Sequence, residues 1–404
     1  MILFQWLSSA TVRHAEALRK QVLKILDHQR DILAPKAVGE VEAGMAELRK
    51  TIEDKAPIDA IRKQMDKLEK TAEAWLKPYP NASIRENVEV LLVALAVAMA
   101  IRTFFVQPFK IPTGSMQPTL YGVTSTNLLH EPDVKIPTGL ERVREWFEGI
   151  SYIDLRARTD GQLDGITEPS KFLIFNIAQK VFIGGQAQWI LLPPDWGQDP
   201  LWHRAGLHQG TYYHAGEEVI RLEAQAGDHL FVDRLSYNFR PPKRGEIIVF
   251  ATKGIDYMSP EEQKQFYIKR LVALGGEHVQ IGDDRHLIID GKRLDASTPG
   301  FARVYGFDPK KLPAESEYSG HVNQTVANQT AAELHKQPLL LGRLFPNQDT
   351  VYDVPPGQYM VMGDNTMNSS DSRTWGTFSS TNVIGKAFLV YWPFTKRFGW
   401  GYSK

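Results

Sequence analysis

Cysteine is absent from the 404 residues. That excludes a disulfide framework, a thiolate nucleophile and cysteine-ligated zinc or iron–sulfur centres. Net charge is absent too, since 47 basic residues balance 47 acidic ones. No global field therefore recruits nucleic acid. The eleven histidines stand in no triad pattern. His203, His208 and His214 lie near one another, but at the spacing of no standard zinc site. His278 and His286 flank turns and read as surface residues. No metal and no cofactor is expected. The apolar start MILFQWLSS is too short and wrongly flanked for a cleaved leader.

Long apolar runs are scarce as well, with one exception. Residues 88–106 make a 19-residue segment, roughly 29 Å as a helix and close to the hydrocarbon thickness of a bilayer. Its centre from Val90 to Ile101 has no polar face, while Glu89 and Arg102 lie within snorkelling reach of an interface. A buried core helix is the competing reading. On the N-terminal side Arg62, Lys63, Lys67, Lys70, Lys77 and Arg85 crowd the approach. On the C-terminal side Lys110 stands alone before Lys135. This bias predicts a cytoplasmic N-terminus and a body on the outer side of the membrane.

Residues 1–87 read as helix. Apolar residues recur at helical spacing over Leu18–Leu33, Val41–Ile52 and Ile61–Trp75, and Pro57 suits the first turn of a new helix. An antiparallel helical hairpin is expected, either a module for cytoplasmic partners or self-association, or a solvated spacer. Lys77-Pro78-Tyr79-Pro80 breaks it ahead of the span.

From Gly227 the pattern turns to strands at 228–235, 246–251, 266–274, 359–362 and 383–392, and Asp290-Gly291 marks a tight hairpin. The expected core is residues 107–121, 226–281 and 355–404. Residues 122–225, with several tryptophans, form a large insertion, and 282–354 a second one.

About ten residues beyond the span, Ser115 sits in a Thr-Gly-Ser-Met-x-Pro turn whose small neighbours let a hydroxyl and its own N–H face a substrate together. It is not a Gly-x-Ser-x-Gly elbow. Without histidine or cysteine a serine needs another base. A lysine serves if burial lowers its pKa. Lys269 lies in an apolar strand with Tyr267 and Leu271 on its face, and Arg270 points away. A lone strand lysine is usually a snorkelling edge residue, and nothing local links the two.

The residues also match a family. AIRTFFVQPFKIPTGSMQPTL, GDHLFVDRLSYNFRPPKRGEIIVF, YIKRLVALGGEHV, GDNTMNSSDSRTWG and VIGKAFLVYWP occur in order. The chain thereby resembles bacterial signal peptidase I, the membrane-bound Ser–Lys leader peptidases. The resemblance implies a mainly β, antiparallel catalytic body with one transmembrane helix. It implies an endopeptidase of the plasma membrane that removes signal peptides from exported preproteins at the bilayer surface. Ser115 would be nucleophile and Lys269 base, with Ser369 orienting the amine and Ser372 its rival. The Ser115 N–H and the Thr113 hydroxyl would hold the oxyanion. Arg270, Asp364, Asn365, Asp371, Ser372 and Arg373 would lend support, Asp371 and Arg373 forming an ion-pair network that engages Arg270. Phe109, Ile111, Tyr267 and Ile268 would line shallow pockets, and substrate would add as a strand beside Ile111 and Pro112. Thr366-Met367 depart from the Arg-Asp usual in the family, Gly275 stands where proline is common, and the family has only a short link in place of 122–225. A self-cleaving repressor and a non-catalytic membrane scaffold are the rival readings.

Overall fold

The computed structural model describes residues 9–77, 82–131, 133–172, 175–197, 199–306, 320–333, 335, 337 and 340–400. The apolar start before Ser9 and the Pro78-Tyr79-Pro80 break lie outside them. The chain divides into two compact units, residues 1–96 and 97–404.

The described residues of the first unit form α1 (Ala10–Gln29), α2 (Pro35–Glu53), α3 (Ile58–Trp75) and the start of a fourth helix. Ser9 caps α1, and Pro35 opens α2 where its missing N–H costs nothing. Val22, Leu26, Val41, Leu48, Ile61 and Leu68 meet in one shared core. The expected hairpin is thus part of a three-helix bundle, because α1 supplies a third apolar stripe. Helix α4 (Ala82–Phe104) follows. Its window Glu86–Phe104 is long and apolar enough to cross a membrane, and none of that window is buried. It is the one such helix among the described residues.

In the second unit a seven-stranded sheet carries the site. Its strands are β1 (Val106–Lys110), β2 (His229–Asp233), β3 (Ile247–Ala251), β4 (Phe266–Ala273), β5 (Gln358–Met362), β6 (Phe378–Ser379) and β7 (Val383–Trp392). The order is β1-β2-β7-β3-β4-β5-β6, with every pairing antiparallel. β3 is apolar on both faces because both are covered. Ile247 and Val249 face a core with Leu230, Val232 and Val390, while Ile248 and Phe250 face Leu271, Trp375 and Phe378. The sheet curls, so Phe109 of β1 meets Phe266 of β4 edge-on at 6.0 Å although three strands separate them in sheet order.

Residues 122–225 build a lobe with its own core of Leu163, Val181, Ile183, Trp196, Val219 and Leu222. This lobe packs against the β1 exit, where the Val123 N–H donates to the Pro112 carbonyl at 3.4 Å. Asp195 pairs with Lys110 at 2.7 Å, and Arg204 donates to the carbonyls of Val123 and Trp196. Residues 282–354 are less separate than the sequence suggests. The Asp290-Gly291 hairpin forms with both residues at positive φ, as a two-residue turn requires. Its core, with Phe301, Tyr305 and Phe345, runs into Val272 of β4 and Met362 of β5. His286 is buried there against Tyr305, contrary to its surface reading; His278 is exposed.

Two glycines set how closely the β1 exit can be gripped. A Cβ on Gly227 would lie 2.0 Å from the Ile111 carbonyl oxygen, and one on Gly122 would lie 2.1 Å from the Thr113 carbonyl carbon. Gly227→Ala is therefore expected to destabilise the body by about 2 kcal/mol or more, read as a lower midpoint in a thermal melt. An unchanged midpoint would show that the strand exit yields freely.

Candidate active site

Ser115 lies in a one-turn 3-10 helix, Gly114–Met116, just past β1. Its hydroxyl accepts a 2.7 Å hydrogen bond from Lys269 Nζ across 154 residues of sequence. Ser115 is 6% and Lys269 5% exposed. The period of two in β4 sends Lys269 to the same face as Tyr267, whose ring lies 5.4 Å from Nζ, and sends Arg270 to the other.

Burial pulls the Lys269 amine down from its ordinary 10.5 to about 8. The carboxylates of Asp371 and Asp364 work against this, and the Arg373 guanidinium works with it. Desolvation wins because each acid is already spent on an arginine. Asp364 takes Arg270 through Nε at 2.7 Å and Nη2 at 2.5 Å. Asp371 takes Arg373 through Nε at 2.9 Å and Nη2 at 2.8 Å. Burial alone would raise Asp371, but Arg373 and the Gly363 N–H outweigh it and hold it below the usual carboxylate range. The expected single network is therefore two separate pairs. Arg270 engages Asp364 rather than Asp371, because the two arginines approach from different elements.

The Gly363-Asp364-Asn365 turn grips the serine turn from behind. The Asn365 N–H donates to the Ser115 carbonyl at 3.1 Å, and its side-chain amide donates to the Gly114 carbonyl at 3.1 Å. Position 363 must be glycine, since a Cβ there would sit 2.3 Å from Ser369 Oγ and 2.4 Å from the Ser115 carbonyl oxygen. Ser369 is buried, and its hydroxyl makes no hydrogen bond to Lys269 in this state. Ser372, the rival, is committed elsewhere, its Oγ accepting from the Val361 N–H at 3.0 Å.

A cleft of about 250 Å³ opens on the pair, lined by Pro112, Thr113 and Ser115 on one side and by residues 265–269 on the other, with Asn368 and Ser370. Tyr267 and Ile268 fall where expected. Ile111, 1% exposed, instead packs with Met116 and Leu230 in the core, whereas Phe109 is half-buried against the same core and meets Phe266 of the cleft wall. β5 pairs with β4 from Arg270 onward, so the Phe266–Lys269 edge borders the cleft rather than another strand. Sequence reasoning missed Thr119, which bonds Asp364 at 2.5 Å, and Thr366, which holds Arg373. Neither carries a pattern; Thr119 shares only the short segment with Ser115. Among the described residues no cluster could hold a metal.

A neutral amine at this distance can take the serine proton, giving an alkoxide poised at an open cleft. The model of the family "Signal peptidase, peptidase S26" matches residues 84–129 and 217–392, more than half of the chain, and skips most of the insertion. A signal peptidase I of Leptolyngbya laminosa is 30% identical over 170 residues, covering 42% of this chain and 62% of that protein. One from Pseudomonas aeruginosa is 28% identical over 193 residues, covering 42% and 61%. The chain thus spans about six tenths of the length of these relatives. A crystal structure of a signal peptidase I from Enterococcus faecalis is 27% identical, covering 36% of this chain and 97% of that one, with a TM-score of 0.23.

The buried amine has a cost with a definite pH window. Below about pH 8 both the folded and the unfolded chain hold an ammonium at Lys269, and the folded one holds it desolvated. The penalty fades as pH rises from about 8 toward 10.5. Lys269→Met is expected to be more stable than wild type at pH 7, by up to about 3 kcal/mol, with the gap closing toward pH 10. Denaturant titrations at the two pH values check this, and a pH-independent gap contradicts it.

Proposed function

We propose, from the premise that this chain belongs to the signal peptidase family, peptidase S26, that it is a membrane-anchored serine endopeptidase cutting signal peptides from exported preproteins. The observation that carries the reading is the 2.7 Å contact between Ser115 and an amine with no acid of its own. Ser115 Oγ gives its proton to neutral Lys269 and attacks the scissile carbonyl carbon. The C–N bond breaks as Lys269 passes that proton to the leaving amine. A water then loses a proton to the same amine and attacks the acyl ester, and as the C–O bond breaks the ammonium returns that proton to Oγ, restoring Ser115 and the neutral amine.

Thr113 lines the cleft beside Ser115 and supports the oxyanion role for its hydroxyl with the Ser115 N–H. The open Phe266–Lys269 edge suits an extended peptide that adds as a strand, against Pro112 on the opposite wall. Ser369, held within reach of the Gly363 turn, is the group we assign to orienting the amine once substrate shuts out water. We assign residues 1–87 to the cytoplasm, α4 to the bilayer and the β body to the outer side, on the basic residues that precede the span. Preproteins and lipid are the partners, and no cofactor takes part.

The test is cleavage of a purified preprotein with mapped products. Ser115→Ala and Lys269→Ala are each expected to lose at least about a thousandfold in turnover. If all three proteins behave alike, a non-catalytic scaffold replaces the peptidase. Wild-type kcat/KM should rise about tenfold per pH unit below pH 8 and level off above it, as the amine of Lys269 loses its proton. A flat profile between pH 6 and 9 removes Lys269 as base. Thr113→Val should lower kcat about a hundredfold with an unchanged melt, and near-normal turnover removes Thr113 from the oxyanion site.

A further inference from the structure

Thr366 follows the Gly363-Asp364-Asn365 turn and is fully buried, as are Asp371 and Arg373. Its Oγ1 accepts from Arg373 Nη1 at 2.8 Å and from the Val322 N–H at 3.0 Å. Its carbonyl accepts from Arg373 Nη2 at 2.8 Å. A guanidinium has five N–H donors in a fixed plane, and here all five are accounted for. Two go to Asp371, two to Thr366 and one to the Val322 carbonyl at 3.3 Å. Asp371 is equally committed, its oxygens accepting from Arg373 and from the N–H groups of Gly363 and Arg373.

We propose that Thr366 is a positioning residue for the Ser115–Lys269 reaction. It holds Arg373 flat against Asp371, so that this carboxylate is neutralised in place and does not become the counter-ion of the Lys269 amine. The inference rests on the peptidase reading above and assigns one residue's part in it.

The surroundings of Lys269 make the direction definite. Asp371 and Asp364 favour the ammonium and Arg373 opposes it. Asp364 is held by Arg270 and Thr119, through hydrogen bonds that do not involve Thr366. The Tyr267 ring lies 5.4 Å from the amine, half-buried and well away from ionising. His321, in the same buried region, is pushed by burial to about 3 and adds no charge near neutral pH. Loosening Arg373 therefore changes one balance, that between Asp371 and the amine, and moves it toward the ammonium.

The experiment compares the pH dependence of kcat/KM for preprotein cleavage by the full detergent-solubilised chain, as wild type, Thr366→Val and Thr366→Ser. Thr366→Val is expected to move the acidic limb up by about half a pH unit or more, which is a loss of about threefold or more below the limb. Its rate should approach wild type at high pH, and Thr366→Ser should restore the wild-type midpoint. A lower rate with an unmoved midpoint overturns the proposal, as does a shift that serine fails to reverse. If the valine variant does not fold by thermal melt, Thr366→Ala carries the same comparison, and a wild-type midpoint there overturns it. An inactive wild type, or an active Ser115→Ala, is the failure of the peptidase reading instead.

Discussion

Everything at this site depends on keeping one amine dry without giving it an acid. An ammonium in a protein interior normally recruits a carboxylate, and two carboxylates lie close to Lys269. Each is held by an arginine through two hydrogen bonds. A bidentate guanidinium matches both oxygens of the acid and cannot deprotonate. A lysine in either place could lend its single point charge to other partners. Buried ion pairs of this kind are poor investments in stability. Their value here is electrostatic, since they remove two rival counter-ions while leaving Asp371 in place as acceptor for the Gly363 N–H.

That arrangement must be assembled from segments far apart in sequence. Asn365 reaches Gly114 across 251 residues, and Lys269 reaches Ser115 across 154. The sheet solves this by placing β4 at the centre of the assembly. β4 presents Lys269 on one face and Arg270 on the other, and β5 beside it ends at the turn that grips the serine. One strand thus fixes the base and one of the two arginines. β3 pairs β4 along Phe266–Arg270 and β5 pairs it from Arg270 onward, so Phe266–Lys269 keeps one unpaired edge. The buried amine and the unpaired strand edge come from the same strand at the point where its second neighbour stops.

Much of this was legible beforehand, for reasons that differ by residue. Strand β3 announces itself because both faces are covered and the apolar run is continuous. The Asp290-Gly291 turn is legible because φ above zero at both positions admits few residues. Ser115 and Lys269 were read from a shared set of motifs rather than from spacing, since no local rule joins residues so far apart. The inward packing of Ile111 was not legible, because period two gives alternation but not which face a curled sheet turns inward. Arg270 was paired with the wrong acid for a similar reason. Composition shows two arginines and two aspartates, and only the approach of each element decides the partners. Thr366 looked like a loss, a hydroxyl where the family usually has an arginine. Its use becomes visible only with Val322 beside it, from a stretch that reads as polar filler.

The insertion follows from the same economy. A lobe of this size beside a nucleophile disturbs it unless the lobe is self-sufficient and touches the site region at rigid points. Its own core satisfies the first condition. The Lys110–Asp195 pair and the Val123 N–H on the Pro112 carbonyl satisfy the second, gripping side chain and main chain at the edge of the cleft. Burial and the Asp195 carboxylate act in opposite senses on Lys110, and burial prevails, so its pKa falls. The contact is therefore partly desolvated and stiffer than a surface pair. The β1 exit is thus held by the lobe on one side and by the Gly363-Asp364-Asn365 turn on the other. A serine turn fixed from both sides needs no movement of its own to meet the amine. The family match resumes at residue 217, where the chain returns to the sheet after the lobe is complete.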